Sequence, residues 1–137
     1  GEIEHSLWSC WKDKKPSVIV VEGQGSIMNP AYPGGFEIIA AARPDAIIVQ
    51  HAPKRAFYDG FPGYEMDPVE TQIRAIEMIS KTKVVAVTIN HEGIGPEEIK
   101  NVCDEIKKKT NLDTFDVLLE GAEKLAQLIV KKMKGKL

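Results

Sequence analysis

The sequence predicts an α/β fold: a parallel sheet with helices on both faces. Two observations carry this. The β-branched runs are short and apolar without alternation, as strands covered on both sides require. Between them lie stretches whose apolar residues recur at helical spacing, and that alternation of strand and helix argues for parallel strands joined by right-handed crossovers. The 137 residues suit one domain, residues 1–137, with a real core.

Taken in order, "IEHSLWSCW" sets Ile3, Leu7, Cys10 and Trp11 at helical spacing, so a short helix is expected before Pro16. Residues 17–22 then read as a first strand, since Val18, Ile19, Val20 and Val21 are all β-branched. "GGFEIIAAA" predicts a short helix over roughly 35–42, ended near Pro44. "DAIIVQH" is a second buried strand. Residues 52–67 form a long loop, rich in Pro, Gly and aromatics, that is expected to be poorly packed without a ligand.

Asp67 is expected to cap the next helix, with Pro68 at its first position and Glu70 at capping-box spacing. Val69, Ile73, Ile76 and Ile79 would form its buried face. "KVVAVTIN" is a third strand, and "GPEEIKNVCDEIKKK" a helix entered through Pro96. A short extended piece is placed near Leu112. One last helix, 116–134, would bury Leu118, Ala122, Leu125 and Ile129.

Composition excludes some functions. Hydrophobic residues make up 43% and charged residues 28%, with a formal net charge of -2, so no basic stripe invites nucleic acid. No apolar run approaches membrane-spanning length and no signal peptide opens the chain, so no membrane partner is expected and the cytoplasm is the expected compartment. Cys10 and Cys103 form no CxxC pair, and Cys103 falls on the stripe Ile99, Val102, Cys103, Ile106, which makes it a core residue.

Ligands of open α/β sheets bind outside the carboxyl ends of the strands. The predicted strands end at Glu22, at Gln50-His51 and at Asn90-His91-Glu92, so candidate groups converge on one edge. Glu22 can hold a hard cation such as Mg²⁺, directly or through water, or cap a neighbouring helix. Gly23 and Gly25 let backbone N–H groups approach an anion, or simply make a tight turn. His51 is an acid/base group, an anion donor or a hydrogen-bonded wall residue, and His91 a weaker version of the same. Lys54 and Arg55 can clamp an anion or sit solvated on the loop.

Together, "VVEGQGSIMNPAYPGG", "DAIIVQHAPKR", "GFPG" and "VVAVTIN" resemble the C-terminal part of the DgcN family, over about Ile3 to Met133. These are P-loop NTPase-like proteins, some described as D-glutamate N-acetyltransferases. The same stretch is more distantly similar to the "VEGAGG" segment of dethiobiotin synthetases. The resemblance implies Glu22 as the metal-side acid and catalytic candidate, and Gln24, Gly25 and Ser26 as the loop facing the ligand, with Gly23 joining them as a cofactor-binding candidate. It implies His51 and Arg55 as the polar pair after the next strand, and Asn90 as the reader of a purine base. Mg²⁺ with ATP or acetyl-CoA is the implied cofactor, and a small amino acid such as D-glutamate the implied substrate.

The family's phosphate loop, GxxxxGK[ST], is absent from this sequence. The expectation is therefore the C-terminal half of a P-loop NTPase domain within a larger protein, inactive alone. In the fold it resembles, the phosphate-loop strand lies between the strand ending at Glu22 and the one ending at His51. The gap would be filled by the missing N-terminal half or by another copy of the chain, so an oligomer is expected. The alternative is a non-catalytic module that completes a sheet with a partner chain.

Overall fold

In the computed structural model, residues 1–23, 26–32 and 34–135 are described. The elements are α1 (Glu2–Lys14), α2 (Gly34–Ala42), β1 (Ile47–His51), α3 (Val69–Ser80), β2 (Val84–Ile89), α4 (Pro96–Thr110), β3 (Thr114–Phe115), α5 (Val117–Glu120) and α6 (Glu123–Lys132). The sheet is parallel throughout, in the order β1-β2-β3.

The register contains an irregularity that shapes the core. Ile47 pairs with Val84, but Ile48 pairs with Ala86, so β2 carries one extra residue there. An inserted residue shifts the alternation of faces. Val84 consequently shares a face with Val87 and Ile89, opposite Ile47 and Val49. On that face Val69 and Ile73 of α3 and Ile99, Cys103 and Ile106 of α4 close the main core. The other face carries Ala86 and Thr88, both buried, where α6 packs on β2. Helices thus cover both faces, but unevenly: Ile48 and Gln50, on the α6 side of β1, are exposed.

The first predicted strand is corrected. Residues 17–22 form no strand, and no ladder joins them to β1; Val20 is 88% exposed. A run that is apolar on both faces needs hydrogen-bonded neighbours as well as covering layers, and the three-stranded sheet pairs with none of it. The third strand is instead β3, near the extended piece anticipated at Leu112. Leu112 itself packs against the core.

Local signals explain most of the helix boundaries. α4 begins with Pro96 after Gly95, and the Glu98 carboxylate accepts the Gly95 N–H at 3.2 Å. Glu97 and Glu98 sit in its first turn and Lys107, Lys108 and Lys109 in its last, each complementing the helix dipole. α1 forms where expected, yet buries none of its residues. α3 begins one residue later than predicted. Its N-cap is Pro68, with no side-chain cap, because Asp67 is engaged elsewhere. Val69 and Ile73 are buried as expected, whereas Ile79 is exposed.

The single last helix is also corrected. Gly121, at φ +77°, separates α5 from α6. That conformation suits glycine and breaks the helix. The expected stripe splits with it: Leu125 is buried, but Leu118 is 75% exposed.

Candidate functional site

Because the strands are parallel, the end of β1 and the residues that follow β2 and β3 all emerge at one edge of the sheet. These are His51, the run Asn90-His91-Glu92, and Asp116. The backbone N–H of Asn90 donates to the His51 carbonyl at 2.7 Å, so the first two strand ends are joined. Asn90 Oδ1 accepts the Glu92 N–H at 3.1 Å, which turns the chain away from the strand. The Asn90 amide nitrogen has no partner among the described residues and keeps its donor capacity.

His51 is half-buried. Burial pushes its basicity below the ordinary histidine range; the Glu70 carboxylate opposes the shift and Lys109 adds to it. Desolvation penalises the charged ring, which favours the neutral imidazole.

The most constrained group at this edge is one the sequence reading did not single out. Asp116 is 0% exposed, and its Oδ2 lies 2.5 Å from His91 Nδ1. Asp116 Oδ1 accepts the N–H groups of Leu118 and Leu119, each at 3.1 Å, as the N-cap of α5. Both carboxylate oxygens are therefore committed, and the His91 ring, 36% exposed at its side chain, is held against one of them. The available signal was Asp directly before "VLLE", an N-cap preference that the reading of one long helix from 116 obscured.

The loop cations are already paired. Arg55 meets Glu92 at 2.5 Å and Lys54 meets Glu98 at 3.8 Å. An incoming anion would have to compete with these carboxylates.

The loop over residues 52–67 is better ordered than expected. Phe57 and Glu65 form an antiparallel bridge, Tyr58 N–H donates to the Tyr64 carbonyl at 3.0 Å, and Met66 N–H to that of Ala56 at 2.8 Å. Tyr58 is buried and donates its hydroxyl to Asp67 at 3.0 Å, which takes Asp67 out of its expected cap. Burial, then the Asp67 bond, push the phenol up, and a hydrogen bond with Ser26 counters them. Phe57 and Tyr64 remain exposed.

Through Tyr58 this loop reaches the glycine segment. Besides the Ser26 contact, Asn29 is buried and donates to the Asp59 carbonyl at 3.4 Å. Ser26 therefore lies beside the loop that leaves β1. Gly23 sits against α2, where an added Cβ would come 3.1 Å from Ile38 Cδ1. Gln24 and Gly25 lie outside the described residues. Glu22 is exposed. Among the described residues no three His, Cys, Asp or Glu side chains gather as a metal cluster. Glu22 by itself offers a hard cation one carboxylate.

A groove of about 440 Å³ lies elsewhere, between Phe36, Ile39, Ala40 and Arg43 of the α2 region and Ile79, Ser80 and Thr82. Ser80 and Thr82 precede β2, so the groove belongs to the opposite, amino edge of the sheet. No described helix is long and apolar enough to cross a membrane.

Comparison with known proteins agrees with this architecture. A D-glutamate N-acetyltransferase from Tritonibacter scottomollicae is 27% identical over 117 residues, covering 80% of this chain and 35% of that protein. A D-glutamate N-acetyltransferase from a Pseudoalteromonas species is 26% identical over 113 residues, covering 77% and 34%. The chain thus spans about a third of the length of these curated relatives. The crystal structure of a DUF1611 family protein from Anabaena variabilis superposes with a TM-score of 0.86 at 20% identity, over 96% of this chain and 40% of that one; it bears on the fold alone. The family described as "Domain of unknown function (DUF1611_C) P-loop domain" matches residues 1–126, and the chain belongs to that DUF1611 family.

Proposed function

We propose that this chain supplies the carboxyl-edge half of an N-acyltransferase site, in a protein that binds an acyl-CoA or nucleotide and acetylates a small amino acid such as D-glutamate. The observation that carries the reading is the convergence of His51, Asn90 and His91 on one sheet edge, joined by the Asn90–His51 bond. The names of the two relatives support the reaction class. Acetyl-CoA carries an adenine nucleotide, and the Asn90 amide suits an adenine edge because it can donate and accept together.

In this reading Ser26 faces the ligand's phosphates. Arg55 exchanges Glu92 for a ligand anion. His51, whose neutral form burial favours, accepts a hydrogen bond from substrate. Glu22 would hold Mg²⁺ carried in on nucleotide phosphates. The test is thiol release from acetyl-CoA by the full-length protein with D-glutamate, run beside ATP binding with and without Mg²⁺. Absence of thiol release together with tight ATP binding would replace acyl transfer by a nucleotide-dependent reaction.

A second reading has its own observation. Among the described residues β1 is bonded on one side only, Ile48 on that strand is exposed, and Val18 and Val20 stand in solvent. An open edge strand with apolar surface recruits another strand. The chain would then complete its sheet with the amino-terminal part of a longer form or with another copy. Sedimentation of the 137-residue chain, alone and mixed with that part, separates these occupants.

A further inference from the structure

We propose that His91 is the base that takes the proton from the acceptor amine during acyl transfer, and that Asp116 is its positioning residue. The inference rests on the acyl-transfer reading above and assigns the proton within it. Three structural features carry it. Asp116 is fully buried, and the two N–H groups of α5 fix its Oδ1, so the carboxylate cannot turn away from the ring. Its Oδ2 meets His91 Nδ1 at 2.5 Å, which places the neutral ring's proton on Nδ1 and leaves the lone pair on Nε2. His91 stands next to Asn90 at the carboxyl edge, with its side chain 36% exposed, and Nε2 meets no partner among the described residues.

His51 lacks such support. Among the described residues its ring has no hydrogen-bonded carboxylate, and burial disfavours its charged form. A base must become charged as it works, and the Asp116 carboxylate stabilises the imidazolium that His91 would become.

The step balances without a further reagent beyond an acyl thioester and a primary amine. The amine nitrogen attacks the thioester carbonyl carbon, and the N–C bond forms as its proton passes to His91 Nε2. The tetrahedral intermediate then collapses, breaking the C–S bond. The departing thiolate takes the proton back from Nε2, leaving an amide, a free thiol and a neutral ring.

The test uses the full-length protein with acetyl-CoA and D-glutamate, read by thiol release. His91→Ala is expected to lower kcat by about 10²–10⁴-fold with KM changed by less than about threefold, the usual range for loss of an acid/base group. Added imidazole should restore part of the rate. Asp116→Asn keeps the Oδ1 acceptor for α5 but offers an N–H₂ to the ring, which moves the ring proton to Nε2. It should lower kcat comparably, without imidazole rescue. Nitrogen-15 ring spectra give a readout independent of activity: the neutral wild-type ring should carry its proton on Nδ1. A proton on Nε2 in the wild type overturns the assignment, as does a His91→Ala enzyme with unchanged kcat, or one whose loss lies in KM and ignores imidazole. A wild-type protein that releases no thiol overturns the acyl-transfer reading itself, and the base with it.

Discussion

Asn90 donates its backbone N–H to the carbonyl of His51 at 2.7 Å, so the residue after β2 is tied to the last residue of β1. The bond belongs to the backbone. Side-chain changes at either position can therefore probe ligand contacts while the edge itself stays joined.

The first such change is Asn90→Asp. It keeps the oxygen that accepts the Glu92 N–H but removes the amide donor. Thermal stability should stay within about 0.5 kcal/mol of wild type, the usual span for a change that breaks no buried contact. Affinity for an adenine nucleotide should fall about tenfold, the equivalent of one good hydrogen bond. Calorimetric titration with ATP and with acetyl-CoA reads the difference, and equal affinities would remove Asn90 from the base-reading role.

Glu22→Gln tests the metal role. Glu22 is exposed, so its charge supports no described core contact and urea unfolding should shift by less than about 0.5 kcal/mol. Metal-dependent activity of the full-length protein should fall far more. Unchanged activity at saturating Mg²⁺ would exclude Glu22 as a ligand.

Stability should respond to pH through His51. Its folded basicity is lowered by burial, so the unfolded chain binds the proton more readily. Its contribution is complete above the ordinary value of 6.5 and is lost as pH falls through the lower folded value. Wild-type unfolding free energy should therefore decline on acidification below about 6.5, where His51→Gln should show a shallower slope. Parallel slopes from denaturant melts would contradict the assignment.

Asp116→Ala should destabilise the chain by about 1–3 kcal/mol, because it strips the cap from α5 and leaves the Leu118 and Leu119 N–H groups without their acceptor. Asp116→Asn should recover most of that loss. Paired denaturant melts would show whether the cap or the ring contact carries the stability.

The 137-residue chain should hydrolyse no ATP, since its sequence holds no GxxxxGK[ST] loop to cradle the β- and γ-phosphates. It should also self-associate through the open side of β1, and Ile48→Lys, by charging that edge, should shift it toward monomer. A monomeric wild type that turns over ATP in a sedimentation and hydrolysis pair would contradict both expectations.

What was legible in the sequence follows from how local each signal is. The β-branched runs of β1 and β2, the Pro96 entry to α4 and the buried Cys103 were readable, because composition and period decide them within a few residues. Residues 17–22 carry the same strand pattern, but pattern reports what a segment could bury and says nothing of whether a neighbour is there to pair with it. The His91–Asp116 contact spans 25 residues of chain and could not be read from either side alone. Asp67 obeyed cap statistics until the buried Tyr58 hydroxyl claimed it. Gly121 was the visible sign that the last helix would break.

The strands β1 and β2 are fastened at both ends. At the amino edge the Thr82 hydroxyl donates to the Pro44 carbonyl at 2.9 Å, and Ile47 N–H donates to that of Lys83 at 3.3 Å; at the carboxyl edge stands the Asn90–His51 bond. Between two such pins, with an extra residue in β2 locking the phase, β1 cannot creep along its neighbour. Its outer row of amides and carbonyls is consequently a ruler with fixed graduations. A strand arriving there would find one alignment already set, so capture should be a single second-order event whose rate rises linearly with the concentration of the incoming chain, without a slower search among registers.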